Sequence, residues 1–146
     1  MLNIEEAREC QKLLAEIKKK ESERSKLSED YQKRQKKFKE DKRAIFFNDL
    51  IPGKERFRVL NDLEISKLEV EIENKKQNRK LFDILEQSKE RLAALRKKCS
   101  HINKYFKVEE RSKSDCGYSS WFWKVKAEYC QDCDQYLREQ EIKETT

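Results

Sequence analysis

The stretch Asn48-Asp49-Leu50-Ile51-Pro52-Gly53-Lys54 decides the fold. It holds the chain's one Pro, with one of its two Gly beside it. Pro52 biases Ile51 toward extended geometry, and Gly53 permits a turn. Nothing on either side breaks a helix: residues 3–47 precede the stretch, and a second helix is predicted from about Glu55 to Lys98. Each arm is roughly 65 Å long at 1.5 Å per residue. Two near-equal helices joined by a short loop favour an antiparallel hairpin, with its tip at about 47–56. A parallel dimer of bent helices is the alternative.

The first arm carries a heptad pattern. With Cys10 at position a, that row continues Ile17, Arg24, Tyr31, Phe38 and Ile45. The d row is Leu13, Lys20, Leu27, Arg34 and Asp41. The second arm's seam reads Leu60, Glu64, Leu68 and Ile72. An irregularity near Lys75–Lys80 follows, then Leu81, Leu85, Leu92, Leu95 and Cys99. The irregularity resembles a stutter. An antiparallel arrangement sets Cys10, Leu13 and Ile17 beside Leu92, Leu95 and Cys99.

Composition supports thin structures. Charged residues make up 44% of the 146-residue chain and the hydrophobic set only 36%. Such a chain cannot wrap a thick core, while so few Gly and Pro argue against disorder and against a turn-rich β-fold. The net charge of +6 permits an acidic partner without demanding one. Five cysteines, an odd number, point to a reducing compartment. The N-terminal stretch Met1–Lys19 has no apolar core of a signal peptide, and the longest apolar run, Ala44–Phe47, is too short to span a membrane. A cytoplasmic location is expected.

Past residue 98 the period changes, so residues 99–146 are read as a small second domain. Trp121, Trp123, Val125, Ala127 and Tyr129 alternate with Phe122, Lys124, Lys126 and Glu128, as in a half-buried β-strand. Ile102, Phe106 and Val108 suggest an earlier strand, Arg111–Ser120 a connecting loop, and Gln135–Ile142 a third strand or a short helix. Trp121 and Trp123 are expected to form a miniature core.

The strongest chemical signal is Cys99-Ser-His101 followed, after 28 intervening residues, by Cys130-Gln-Asp-Cys133. Zinc takes four Cys or His ligands in a tetrahedron, and Cys-x2-Cys is the knuckle spacing that sets two sulfurs on one ion. A β-hairpin between the pairs would bring them together as in a zinc ribbon. Two features depart from that pattern: Asp134 rather than Gly follows the knuckle, and the first pair has a single spacer. A domain of this size usually needs a metal or disulfides. The predicted ligands of a structural Zn2+ are therefore Cys99, His101, Cys130 and Cys133, with Cys116 an alternative to His101 or Cys99. Cys10 reads as a coiled-coil core residue.

Three surfaces are candidates for binding. The hairpin tip holds Phe46, Phe47, Leu50, Ile51 and Phe57, either as a contact site or as a small cap on the coiled coil. The basic run Lys33, Arg34, Lys36, Lys37, Lys39, Lys42 and Arg43 is either a solvated face or a contact for nucleic-acid phosphates. Phe122, beside Lys124 and Lys126, is the candidate on the β-domain. There is no Gly-rich phosphate loop and no Ser/His/Asp set, so an enzyme is not expected.

A helical hairpin attached to a four-ligand finger resembles, in overall plan, the DksA/TraR-like regulators, which insert a coiled coil into the secondary channel of bacterial RNA polymerase. That family's finger is typically all cysteine, and its acidic tip motif is absent here, where the tip offers Asp49 and Asp62. The expectation is a mainly α protein, a long antiparallel coiled-coil hairpin with a small C-terminal zinc-ribbon-like β domain. Its expected role is that of a non-enzymatic regulator or adaptor binding a larger protein machine acting on nucleic acid, such as a transcription or nuclease complex. The alternatives are a direct DNA- or RNA-binding protein and a self-associating spacer that forms a homodimer.

Overall fold

Helix α1 spans Ile4–Phe46 and helix α2 spans Gly53–Lys98 in the computed structural model. Strands β1 (Lys104–Asp115), β2 (Ser119–Cys130) and β3 (Tyr136–Glu141) follow. The structure describes residues 1–117 and 119–143, without the side chain of residue 115. The chain divides into two compact units, Glu16–Ser88 and Met1–Ala15 with Lys89–Thr146, so each helix contributes to both.

Helix α1 begins with a reciprocal cap that satisfies otherwise orphaned first-turn amides. The Asn3 Oδ1 accepts from the Glu6 N–H at 2.8 Å, and the Glu6 carboxylate accepts from the Asn3 N–H at 3.1 Å. In the same unit, Arg91 on α2 grips Glu9 on α1 through Nε at 2.7 Å and a second nitrogen at 3.1 Å. Leu2, Cys10, Leu92, Leu95 and Cys99 are buried there.

The Glu16–Ser88 unit contains both helices and their connection. Lys42 on α1 and Glu64 on α2 are joined at 2.8 Å, and Leu27, Tyr31, Val70 and Asn74 line one groove. The connection is held by Asn48, whose Oδ1 accepts from the Leu50 N–H at 3.1 Å. Arg56 donates to the Asn48 carbonyl at 2.8 Å and to the Ile51 carbonyl at 3.1 Å. Helix α2 starts at Gly53, two residues before the expected Glu55, because the proline's fixed φ suits a helix entrance. Gly53 is not among the positive-φ residues, so its backbone freedom is not what makes the turn.

The half-buried rows differ from the expected seams in an instructive way. On α1 the row passes through Glu23 and Gln35, while Arg24 and Arg34 are exposed. On α2 it passes through Leu60, Leu63, Lys67, Val70, Asn74, Asn78 and Leu81, ending in buried Leu85 and Ser88. Leu68 and Ile72, expected in that seam, lie on the surface, each 55% exposed. Consecutive four-residue steps drift about 40° each around a helix of 3.6 residues per turn, so the expected row walked off the packed side. The four-residue steps Val70–Asn74–Asn78 fall close to the predicted irregularity.

The sheet is antiparallel, in the order β1-β2-β3. Arg111–Ser120 is not the expected loop. The β1–β2 ladder runs unbroken from Lys104↔Cys130 to Asp115↔Ser119, with Cys116 and Gly117 in the turn. Both faces of that end are polar or solvent-exposed, so the alternation that signals a strand is missing. The third element is a strand, with an irregularity in its register at Glu128/Tyr129. The expected tryptophan core is also displaced: Trp121 is 51% exposed, whereas Val125 and Ala127 are buried. Tyr129 lies between Tyr105 and Tyr136, stacked on the first and edge-on to the second.

Candidate metal centre

Cys99 follows directly on the last residue of α2, and its N–H still donates to the Arg96 carbonyl at 3.2 Å. His101 then takes a left-handed backbone, φ 54°, which sends the chain away from the helix axis. The second pair sits where β2 ends and turns toward β3. The Asp134 N–H donates to the Cys130 carbonyl at 2.8 Å, and the Cys130 N–H donates to the Gln135 carbonyl at 2.9 Å, closing a knuckle. Asp134 occupies the left-handed region at φ 53°, a conformation that a short polar side chain tolerates better than most. Tyr105 hydrogen-bonds its carboxylate.

The knuckle is also held from the helix. Arg96 donates through Nε to the Cys133 carbonyl and through a second nitrogen to the Asp134 carbonyl, both at 3.2 Å. The Gln131 N–H donates to the Asn103 carbonyl at 2.8 Å, tying the knuckle to the segment that carries His101.

These constraints bring the Sγ atoms of Cys99, Cys130 and Cys133 and one ring nitrogen of His101 within 4.8 Å of one another. Cys99 Sγ lies 3.5 Å from Cys130 Sγ, and Cys133 Sγ lies 3.5 Å from His101 Nδ1. Tetrahedral zinc with ordinary bond lengths separates two sulfurs by about 3.8 Å and a sulfur from a nitrogen by about 3.5 Å. The donor set and its spacing therefore fit a four-coordinate cation. The three cysteines are buried and His101 is half-buried.

The thiols differ in acidity. Burial raises Cys99 and Cys133 above the ordinary thiol range. Burial acts the same way on Cys130, but His101 and the backbone N–H groups of Cys133 and Asp132 outweigh it and pull that thiol down. Cys10, on α1, is fully buried close by; burial and the neighbouring Cys99 push its thiol up. It is a core residue outside the cluster, as its heptad position suggested. Cys116 is exposed in the β1–β2 turn at φ 37° and has no place in the cluster.

The remaining sequence candidates lie on the surface. Phe46, Phe47, Leu50 and Phe57 are exposed and Ile51 is half-buried, with the Phe46 and Phe47 rings packed edge to face at 5.2 Å. All seven basic residues from Lys33 to Arg43 are exposed, and Lys42 is engaged by Glu64. Phe122 is exposed on β2. Sequence reasoning missed three residues that shape the metal cluster: Arg96, Asn103 and Tyr105. None of the three falls in the row Ile102, Phe106 and Val108 from which the first strand was read.

No described helix is long and apolar enough to cross a membrane. No family model, curated protein or solved structure matches this chain.

Proposed function

We propose that this chain is a zinc-stabilised, non-enzymatic adaptor of the cytoplasm that docks onto a larger protein machine acting on nucleic acid. The observation that carries the reading is the tetrad of Cys99, His101, Cys130 and Cys133 within 4.8 Å. Four protein donors complete a tetrahedron and leave no position for a reacting water, which is the pattern of a structural ion. When bound, zinc supplies cohesion to a sheet whose fully buried apolar side chains are few. The helices are read as an antiparallel coiled-coil hairpin and the β-domain as ribbon-like. The Glu9–Arg91 and Lys42–Glu64 pairs support the first reading, and the knuckle geometry supports the second.

In this reading Phe46, Phe47, Leu50, Ile51 and Phe57 at the helix connection, and Phe122 on the sheet, are the protein-binding residues. Their exposure supports it. The plan remains similar to that of the DksA/TraR-like regulators, without their tip chemistry.

Native mass spectrometry tests the metal reading: one zinc per chain is expected, with loss of that zinc in a Cys130→Ser/Cys133→Ser double variant. Affinity capture from the native cell tests the adaptor reading. A Phe46→Ser/Phe47→Ser variant and a Phe122→Ser variant should each lose a specific captured partner. Unchanged capture by both would remove the proposed contact sites.

A second reading is favoured by the exposure of Lys33, Arg34, Lys36, Lys37, Lys39, Lys42 and Arg43, which suits direct contact with DNA or RNA phosphates. It requires affinity for nucleic acid that persists at physiological salt and falls steeply as salt rises. The homodimeric spacer is tested by sedimentation, where a monomer would exclude it.

A further inference from the structure

The packed row on α2 leaves three large aliphatic side chains outside it. Ile65, Leu68 and Ile72 are 48, 55 and 55% exposed. Their three-then-four spacing puts them on one side of the helix, turned away from the Leu63–Lys67–Val70 row. At about 100° per residue, carboxylates fall on both flanks of this stripe: Glu64 and Glu71 on one, Asp62 and Glu69 on the other. Glu64 is held at the helix–helix side by Lys42. The result is an apolar stripe with an open acidic border at Asp62 and Glu69, while on the other flank Glu64 is paired with Lys42 and Glu71 is half-buried.

We infer that this stripe is the docking face for an amphipathic helix of a protein partner. That helix carries aliphatic residues at the same spacing and Lys or Arg on the flank that faces Asp62 and Glu69. Charge complementarity chooses the occupant. The same face of a second copy would set carboxylates against carboxylates. The basic run of a second copy's α1 offers the right charge, but its exposed positions from Lys33 to Arg43 contain no aliphatic residue. A basic partner helix satisfies both halves of the surface, as in helix-against-helix recognition generally. This face belongs to α2 alone, so the inference stands or falls separately from the metal reading.

The test uses the full chain and two labelled synthetic helical peptides of about four heptads, both with Leu at a and d. One carries Lys at e and g, the other Glu. Fluorescence anisotropy should show the Lys peptide binding at least tenfold more tightly. Leu68→Ser/Ile72→Ser should weaken that binding about tenfold, and Asp62→Lys/Glu69→Lys should reverse the preference toward the Glu peptide. Circular dichroism accompanies each variant. If the serine variant loses helix, the charge-reversal variant, which leaves the stripe intact, decides the matter. Equal binding of the two peptides, or an unreversed preference, overturns the inference. So does a sedimentation result in which the chain is a dimer and the serine variant a monomer, since the occupant would then be a second copy.

Discussion

Asp134 shows how much a single backbone conformation carries. It follows the knuckle in a left-handed conformation, φ 53°, at a position where ribbon-type knuckles usually have glycine. An Asp134→Ala variant keeps the Cβ and loses the local polar compensation. It is expected to destabilise the metal-bound unit by about 1 kcal/mol, while Asp134→Gly should be milder. Thermal melts of the zinc-loaded protein check the order. Gly117, at φ 88° in the β1–β2 turn, is the one described position where glycine's freedom is used. At this scale the cluster of Cys99, His101, Cys130 and Cys133 was legible because metal-binding chemistry is tied to residue type and spacing. The supports were not: Arg96 looks like any basic residue near a helix end, and only the fold brings it to the carbonyls of Cys133 and Asp134.

Within the elements, the outcome turned on which polar residues the packed rows accept. Gln35 Nε2 and Asn74 Oδ1 are buried atoms without a hydrogen-bond partner among the described residues. Replacing either residue by Leu should stabilise the helical unit by about 1 kcal/mol, read as a higher urea midpoint. Gly53 offers a second gain. A Cβ there meets nothing within 4 Å and the residue lies in helix, so Gly53→Ala should add about 0.5 kcal/mol. In the sheet, Glu128 is buried between Lys104 and Arg138, at 2.8 and 2.7 Å. Lys104 first and then Arg138 hold its carboxyl below the ordinary carboxylate range. Folding therefore favours the ionised form. That stability is present above the ordinary carboxylate pKa and is lost as pH falls through the lowered folded value. Glu128→Gln should flatten the acid limb of a stability–pH curve. The sequence showed the long helices and the central strand plainly, because their periods of 3.6 and 2 extend over many residues. It hid the far half of β1, where Arg111-Ser-Lys-Ser carries no apolar alternation. It also misplaced Leu68 and Ile72, because apolar residues at four-residue steps look continuous on paper while rotating around a real helix.

For the whole molecule, the division into two units that share both helices predicts unequal responses to chemistry. Chelation of a zinc-loaded sample should melt the unit holding the sheet and leave the helical signal from Glu16–Ser88 largely in place. Circular dichroism should retain most of its helical minimum, while tyrosine and tryptophan fluorescence change. A coincident loss of both signals would contradict this. Ligand thiols must be deprotonated to hold a cation, so acidification should reproduce the effect of the chelator. Arg96 extends the consequence along the chain. It stands in the last turn of α2, three residues before Cys99, and donates to the main-chain carbonyls of Cys133 and Asp134. A zinc ion held by Cys99 and Cys133 would close these contacts into a small ring of bonds at the helix terminus. Amide exchange at Leu92–Lys98 then becomes a gauge of occupancy, slow while the ring is shut and quickening once it is opened.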